Sequence, residues 1–431
     1  MAGVGKKLAA DVLSDDSGDI TKHEKLYERL YDLSDSPYEI FEFALEYLNI
    51  AVKTYTIFED ALSYITKERF EKLIAVALKI WRARVENNEP RPKYSDFAAQ
   101  AVIERAAFQF PELLHEHLRE IYELDDGHFY QFWRAFAYLP KEKIAPFKEA
   151  LLSGETTLDE KKELARYLIG SRDIETIRFV YDYALKNGIE SAGFLEWKMG
   201  EVGFAKKKAG VKRYCYDELY HITFPKNYSP EAPRVFLQQA HHPTWSLPAT
   251  YESLKFGGVL EDGENPFCHI ITFDKIPEGL NITGLKRLVL GSHLRECDCD
   301  THFYQHDQEG NPRRIGDELE KEYLNYNYPI QPTELSLSLT PERWRFQDWA
   351  VSNSRENLFR IGGEPSWIQG PNILICPICG EKMDFLMQLD TGLPDLDPRI
   401  NDGEVYFGSG GMYYAFWCDE CKVSGYVMQC T

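Results

Sequence analysis

Two CxxC pairs near the C-terminal end of the sequence have the residue types and the spacing of a metal centre. They lie in CPICG (376–380) and in CDEC (418–421). A CxxC turn brings two thiolates close together, and two such turns supply the four ligands of tetrahedral zinc. The sequence therefore predicts one Zn²⁺ bound by Cys376, Cys379, Cys418 and Cys421. Four protein ligands leave no position open for water or substrate, so the predicted role is structural.

The loop between the two pairs is longer than the roughly 15–20 residues of a compact zinc ribbon, so it must contain strands of the domain. The alternatives for these four residues are reduced, buried cysteines and a redox CxxC pair. The total of nine cysteines is odd. In an intracellular chain this pattern favours metal ligands over disulfides.

A second group of possible metal ligands crowds into residues 268–306. CxC followed by xxH is not a standard knuckle spacing, and a histidine beside an acidic turn usually makes an ordinary polar contact. An exchangeable second metal at this cluster is kept as an alternative. The members of this cluster are Cys268, His269, His293, Cys297, Cys299, His302 and His306.

Other catalytic signatures are missing from the sequence. It contains neither a GxSxG nucleophile elbow nor an HExxH zinc motif. GVGKK (3–7) is only a fragment of a phosphate loop and lacks a preceding strand. We therefore expect no enzymatic activity.

Composition limits the partners of the chain. Its net charge is −20, spread over both halves, so it would be repelled by nucleic-acid phosphates. A basic protein would be steered toward it, although acidity can also serve solubility alone. No apolar run approaches the length of a membrane span, and residues 1–20 lack the apolar core of a signal peptide. The expectation is a cytoplasmic protein that binds neither nucleic acid nor membrane.

The first half of the chain has helical periodicity. FEKLIAVALKIWRARVE (70–86) repeats apolar residues at the spacing of one helix face, and similar segments follow with short joints. We predict a disordered tail over 1–20 and a helical scaffold over 21–190. This scaffold is either a HEAT-like solenoid or a bundle, and solenoids commonly hold another protein.

The second half, 191–431, has the short alternating runs and the turn residues of a mainly β domain. This domain would carry the zinc-ribbon-like four-cysteine site. DFLMQLD (384–390) is predicted as a core strand. Its alternation would place Phe385 and Met387 on one face, and Leu386 and Gln388 on the other.

Four motifs in the C-terminal region resemble a known family. They are GGxPxW (Gly362, Gly363, Pro365, Trp367), the CPxCG knuckle, the FLxQLD strand and the aromatic strand that ends in FWCxxC. Together they resemble bacterial YwqG-like proteins and, more distantly, the C-terminal part of the eukaryotic programmed-cell-death-protein-2 family. The resemblance implies a β-rich fold of two related halves, bound zinc and no catalysis.

The resemblance also suggests what the protein binds. Bacterial YwqG-like proteins often occur beside polymorphic toxin genes, which implies immunity proteins. The eukaryotic relatives look like escorts of a basic ribosomal protein. Our leading hypothesis is a zinc-stabilised protein-binding module that neutralises a toxin, and the alternatives are an escort and a metal-dependent enzyme that uses 268–306. The GGEPSW stretch is either a packed corner or, through Gly362, Gly363, Pro365 and Trp367, part of the partner-binding surface.

Overall fold

The chain divides into two compact units, Met1–Ile189 and Glu190–Thr431. The boundary predicted from the sequence lies between residues 190 and 191. The computed structural model describes residues 3–15, 20–33, 36–89, 97–125, 132–226, 228, 242–263, 266–294, 301–316, 329–353, 355–397, 403–408 and 410–431.

The first unit is helical. In its described part, 3-10 helices at Pro111–Leu114 and Phe132–Phe136 interrupt the α-helices. The α-helices are α1 (Val4–Leu13), α2 (Ile20–Asp32), α3 (Pro37–Ile50), α4 (Thr56–Leu62), α5 (Lys67–Glu86), α6 (Ala98–Gln109), α7 (Leu118–Asp125), α8 (Lys141–Leu152), α9 (Leu158–Gly170) and α10 (Ile174–Lys186).

Helix α6 is the central element of this unit. It contacts α4, α5 and both 3-10 helices. Its sequence is rich in alanine, which lets neighbouring helices approach closely, and even Arg105 and Gln109 are buried. The helical character of residues 21–190 is thus confirmed for the described part of the unit, whereas the HEAT-like arrangement stays a prediction.

The prediction of a disordered tail over residues 1–20 is wrong for Val4–Leu13, which form α1. Leu8 and Ala9 of this helix are fully buried. Gly5 permits the contact with α3, because a Cβ at this position would lie 2.0 Å from Glu39 O. The Gly5 N–H donates to Glu39 Oε2 at 2.7 Å, so a carboxylate of α3 satisfies a free amide at the start of α1.

The second unit begins with α11 (Ala192–Glu201) and continues mainly as strands. A short helix, α12 (Trp349–Ser352), precedes the GGEPSW segment. The strands are β1 (Phe204–Lys207), β2 (Gly210–Arg213), β3 (Leu219–Thr223), β4 (Tyr251–Phe256), β5 (Val259–Glu261), β6 (Phe267–Phe273), β7 (Leu288–Ser292), β8 (His302–His306), β9 (Pro312–Ile315), β10 (Thr333–Leu339), β11 (Arg360–Gly362), β12 (Asp384–Asp390), β13 (Leu393–Pro394), β14 (Glu404–Val405), β15 (Met412–Cys418) and β16 (Val423–Gln429).

Among the described residues, twelve strands form one sheet in the order β5-β6-β4-β10-β3-β11-β12-β15-β16-β8-β9, and β7 also pairs with β6. Its strand pairs are antiparallel. The sheet is curved, and its two ends approach each other. A hydrogen bond shows this approach: the Val289 N–H in β7 donates to Gly310 O in the β8–β9 turn at 2.9 Å. The concave face encloses an apolar core of fully buried side chains, among them Ile222, Phe256, Ile270, Leu290, Leu337, Ile361, Leu389, Tyr413 and Tyr426.

A second apolar cluster covers the outer face of β12, β15 and β16. Alternation along β15 sends Tyr413, Ala415 and Trp417 into the enclosed core, and Tyr414, Phe416 and Cys418 into the outer cluster. The metal-ligand candidate Cys418 therefore lies on the outer face of the sheet. In the described ranges no helix has both the length and the apolar character needed to cross a membrane.

Candidate metal centre

The first CxxC pair lies in a tight hairpin that precedes β12. Ile375 bridges to Lys382, and the Met383 N–H donates to Leu374 O at 2.8 Å. At the tip, the Gly380 N–H donates to Cys376 O at 2.9 Å. Gly380 has φ +67°, a conformation that glycine adopts without a steric penalty. We call residues 374–383 the first knuckle.

The second CxxC pair forms the turn between β15 and β16, where Cys418 pairs with Val423. We call residues 418–422 the second knuckle. Lys422 follows its last cysteine and has φ +53°, so it takes the same left-handed position as the glycine of the first knuckle. Both turns thus place a left-handed residue directly after their second cysteine, although only the first has a glycine there.

The second knuckle is anchored by Asp419. This carboxylate accepts hydrogen bonds from the Thr283 N–H at 2.9 Å and from the Trp417 indole Nε1 at 3.1 Å. Lys422 Nζ lies 2.7 Å from the same carboxylate. These contacts fix the turn from outside, as is typical of the groups that orient metal ligands.

The structure brings the four predicted ligands together. Their Sγ atoms all lie within 4.8 Å of one another, and Cys379 Sγ is 3.7 Å from Cys418 Sγ. A tetrahedron with Zn–S bonds of about 2.3 Å has edges of about 3.8 Å. The cysteines are free rather than bridged, since an S–S bond would be about 2.0 Å long. The sulfurs are therefore spaced to hold one metal ion.

The surroundings of three of the thiols change how readily they ionise. Burial raises the pKa of the Cys418 thiol well above its usual value and that of Cys421 to about 11. Burial also opposes ionisation of Cys379, but the backbone N–H of Glu381 and the neighbouring thiols outweigh it and lower the pKa of Cys379. Because a metal-bound cysteine is a thiolate, a bound metal ion would displace the protons of these thiols.

The chemistry open to such a set is restricted. Four thiolates are soft ligands of the kind that select zinc, copper(I) or iron. All four tetrahedral positions would be filled by protein, so no position remains for a water to be activated. Cys376 and Cys418 are buried, and Cys379 and Cys421 are half-buried.

The described members of the 268–306 cluster do not assemble into a second metal-binding group, since the four cysteines above are the group found within the described residues. Both ring nitrogens of His269 are occupied, Nδ1 by Gly257 O at 2.7 Å and Nε2 by Thr272 Oγ1 at 2.8 Å. His306 and His293 likewise contact protein oxygens. Cys297 and Cys299 lie outside the described residues.

The GGEPSW stretch forms a corner packed against the outer face of the sheet. Gly362, Gly363 and Pro365 are buried, and Trp367 is half-buried. The Trp367 ring centroid lies 4.7 Å from that of Tyr414. Trp367 is thus the member of the predicted partner-binding set that keeps substantial exposed surface.

Sequence reasoning missed the side chains that hold this corner. Arg360 and Gln388 are paired across β11 and β12, and both are fully buried. Arg360 Nη2 donates to Glu364 O at 2.7 Å and to Ser366 Oγ at 3.0 Å, and the Ser366 N–H donates to Gln388 Oε1 at 2.8 Å. The available signal was a polar residue that interrupts each of two mainly apolar runs, RIGG and FLMQLD.

The chain shows a distant likeness to a curated protein. No family model matches the chain. No solved structure matches it. Similar curated proteins include an uncharacterized protein YpfL of Salmonella typhimurium, which is 27% identical over 191 residues, 41% of this chain and 41% of its own length. The chain therefore spans about two fifths of the length of this relative, and the likeness assigns no role to any residue.

Proposed function

We propose that the chain is a non-enzymatic protein-binding module whose second unit is stabilised by one structural Zn²⁺. The observation that carries this proposal is the four-cysteine cluster with sulfur spacing suited to a tetrahedral ion. Such a centre contributes folding free energy and offers no reactive coordination position. Zinc is the proposed ion because it adopts this geometry with thiolates and needs no redox partner.

The metal content of the purified protein tests the first part. One zinc per chain by mass spectrometry of the metal, retained through dialysis, supports the proposal. A chain that holds iron or copper, or that binds no metal under reducing conditions, would refute the assignment.

The tip of the first knuckle is the surface that we propose for a protein partner. Ile375 and Ile378 are 56% and 51% exposed, and Pro377 between them is also exposed. Large apolar side chains on a metal-braced turn lose little conformational entropy when a partner covers them. Exposed apolar side chains that lie together are the kind of feature that marks protein interaction sites.

For the partner we propose a basic bacterial toxin, so that the chain acts as an immunity protein. Two observations favour this choice: the net charge of −20 would steer a basic protein, and the C-terminal motifs resemble YwqG-like proteins. The charge sets the encounter rate, and the apolar knuckle tip supplies short-range contacts.

A toxin-protection assay tests this function in the native host. Deletion of the gene should harm cells that produce the toxin that the chain neutralises, and it should leave cells unaffected when the toxin gene is deleted as well. The purified toxin should bind the purified chain in a stoichiometric complex that weakens with salt. If deletion of the gene harms cells in neither background, and if the purified toxin does not bind the purified chain, the immunity role is overturned.

A pair of variants links binding to the knuckle tip. Ile375→Ser combined with Ile378→Ser should weaken the complex at least 10-fold while metal content stays the same. Leu339→Ser, at a residue 50% exposed on β10, is the matched control and should leave affinity unchanged. Equal affinity of all three proteins would remove the knuckle tip from the interface.

The second candidate is an escort of a basic ribosomal protein, which the resemblance to the programmed-cell-death-protein-2 family favours. It predicts co-purification with one newly made ribosomal protein and a ribosome-assembly defect on deletion, independent of any toxin. The third candidate is a metal-dependent enzyme that uses residues 268–306. It receives less support, because both ring nitrogens of His269 and of His306 already contact protein oxygens.

A further inference from the structure

A dense cluster of positive charge lies beside the first knuckle. The hairpin of β1 and β2, Phe204–Arg213, has the sequence FAKKKAGVKR, which contains five lysines and arginines and no acidic residue. This composition is unusual in a chain with a net charge of −20. We call this segment the basic hairpin.

The turn of the basic hairpin contacts the first knuckle through Lys208. Its Nζ donates to Cys379 O, and its backbone N–H lies 3.1 Å from Glu381 Oε2. A Cβ built on Gly380 would be 3.9 Å from Lys208 Nζ, so the ammonium lies against the knuckle backbone. Lys207 adds a second link, since its Nζ lies 2.5 Å from Asp384 Oδ1 at the start of β12.

Charge balance explains why Lys208 lies beside the first knuckle. Four thiolates and one divalent cation carry a net charge of −2, and two of the four cysteines are buried. A buried net charge is costly unless a charge of opposite sign lies near it. At the second knuckle, the ammonium of Lys422 is already paired with Asp419. At the first knuckle, Lys208 contacts the carbonyl of a ligand residue instead, so its charge can act on the metal centre.

We propose that the basic hairpin is the outer shell of the metal centre, in which Lys208 is a positioning residue that holds the first knuckle and offsets the negative charge of the metal–thiolate cluster. This inference rests on the proposed metal centre. Outer-shell groups of this kind typically change metal affinity by about 10- to 100-fold when they are removed.

Metal retention in the full-length protein tests the proposal. The protein is loaded with Co²⁺, whose sulfur-to-cobalt charge-transfer absorption reports four-thiolate coordination, and is then challenged with excess EDTA. Lys208→Met keeps the apolar part of the side chain and removes the charge, and it should release Co²⁺ at least 10-fold faster than the parent. Lys208→Arg should restore most of the retention.

The matched control is Lys212→Met on the same hairpin. Lys212 is exposed, pairs with Ala205 across the hairpin, and has no hydrogen bond or ion pair to either knuckle among the described residues. Its variant should release Co²⁺ at the parental rate. The effect of Lys208→Met should also shrink in 1 M KCl, where the Debye length is about 3 Å, because part of it is electrostatic.

The possible results distinguish failure of the role of Lys208 from failure of the metal centre itself. Parental retention in Lys208→Met, or equal loss in Lys208→Met and Lys212→Met, overturns the role of the hairpin and leaves the metal centre intact. A parent protein that binds neither Co²⁺ nor Zn²⁺ overturns the metal centre and this inference together. An unchanged far-ultraviolet circular dichroism spectrum in every variant excludes unfolding as the cause.

Discussion

The buried imidazole of His306 makes the second unit sensitive to mild acid. Its Nδ1 lies 3.2 Å from Gly310 O and its Nε2 2.9 Å from Ser424 Oγ. The tautomer with hydrogen on Nδ1 satisfies both contacts, since Nδ1–H donates to the carbonyl and Nε2 accepts from the hydroxyl. Burial lowers the pKa of His306 from 6.5 to about 4.

The sign and size of the effect follow from linkage. Because the folded state disfavours the charged ring, the stability linked to His306 is fully present above pH 6.5 and is lost as the pH falls toward 4. With these two pKa values, a fall from pH 7.5 to 5.5 removes about 1.3 kcal/mol of unfolding free energy. The rest of the unfolding free energy that is linked to His306 is lost below pH 5.5.

Urea unfolding of the metal-saturated, full-length chain measures this loss. Tryptophan emission reports mainly the second unit, because six of the eight tryptophans lie in Glu190–Thr431. His306→Gln should lose about 1.3 kcal/mol less than the parent between pH 7.5 and 5.5. Other buried histidines titrate in both proteins and cancel in the comparison.

The control is His117→Gln, at a half-exposed position in the first unit. Because tryptophan emission reports mainly the second unit, this variant should give the same pH dependence as the parent. If the unfolding free energies of His306→Gln and the parent fall in parallel, the ring is not held neutral by burial and the reasoning is refuted.

Three further predictions concern single residues. Cys376→Ser or Cys418→Ser should abolish metal binding and unfold the second unit while the first unit keeps its helicity, as metal analysis and circular dichroism would show; full metal content with a parental melting curve would contradict this. Gly310→Ala should destabilise the second unit by more than about 1 kcal/mol, because φ is +80° and the new Cβ would lie 2.1 Å from a backbone carbonyl oxygen; Gly316→Ala, with φ +100° and open space, should cost less in the same urea titration. Arg360→Lys should lower stability by about 2–3 kcal/mol, since it breaks buried hydrogen bonds to the GGEPSW corner while keeping the charge, and an unchanged urea midpoint would contradict this.

Local patterns explain why the four-cysteine cluster could be predicted from sequence. Two ligands separated by two residues must lie in one turn, so the CxxC pairs define their own geometry. The proximity of the two pairs was inferred from the need of zinc for four ligands. In the structure the four sulfurs lie within 4.8 Å of one another. The helical and β halves were likewise visible in the change of periodicity.

Features that depend on distant residues could not be predicted. The predicted alternation along DFLMQLD is wrong, because a register shift between Phe385 and Met387 sends both Leu386 and Met387 into the enclosed core. Helix α1 was missed because its burial depends on a close approach of Gly5 to another helix. The pairing of Arg360 with Gln388 needed the strand order, which no local pattern reveals.

The strand order of the curved sheet has a kinetic consequence. The turn that carries Cys418 and Cys421 joins two strands that are adjacent in sequence, so it can form early in folding. β8, in contrast, must find β16 across a separation of 118 residues, as between His306 and Ser424. Closing so long a loop is entropically costly and slow. A metal ion bound at the β15–β16 turn would therefore provide a preformed edge for this late pairing, and it would accelerate folding as well as retard unfolding.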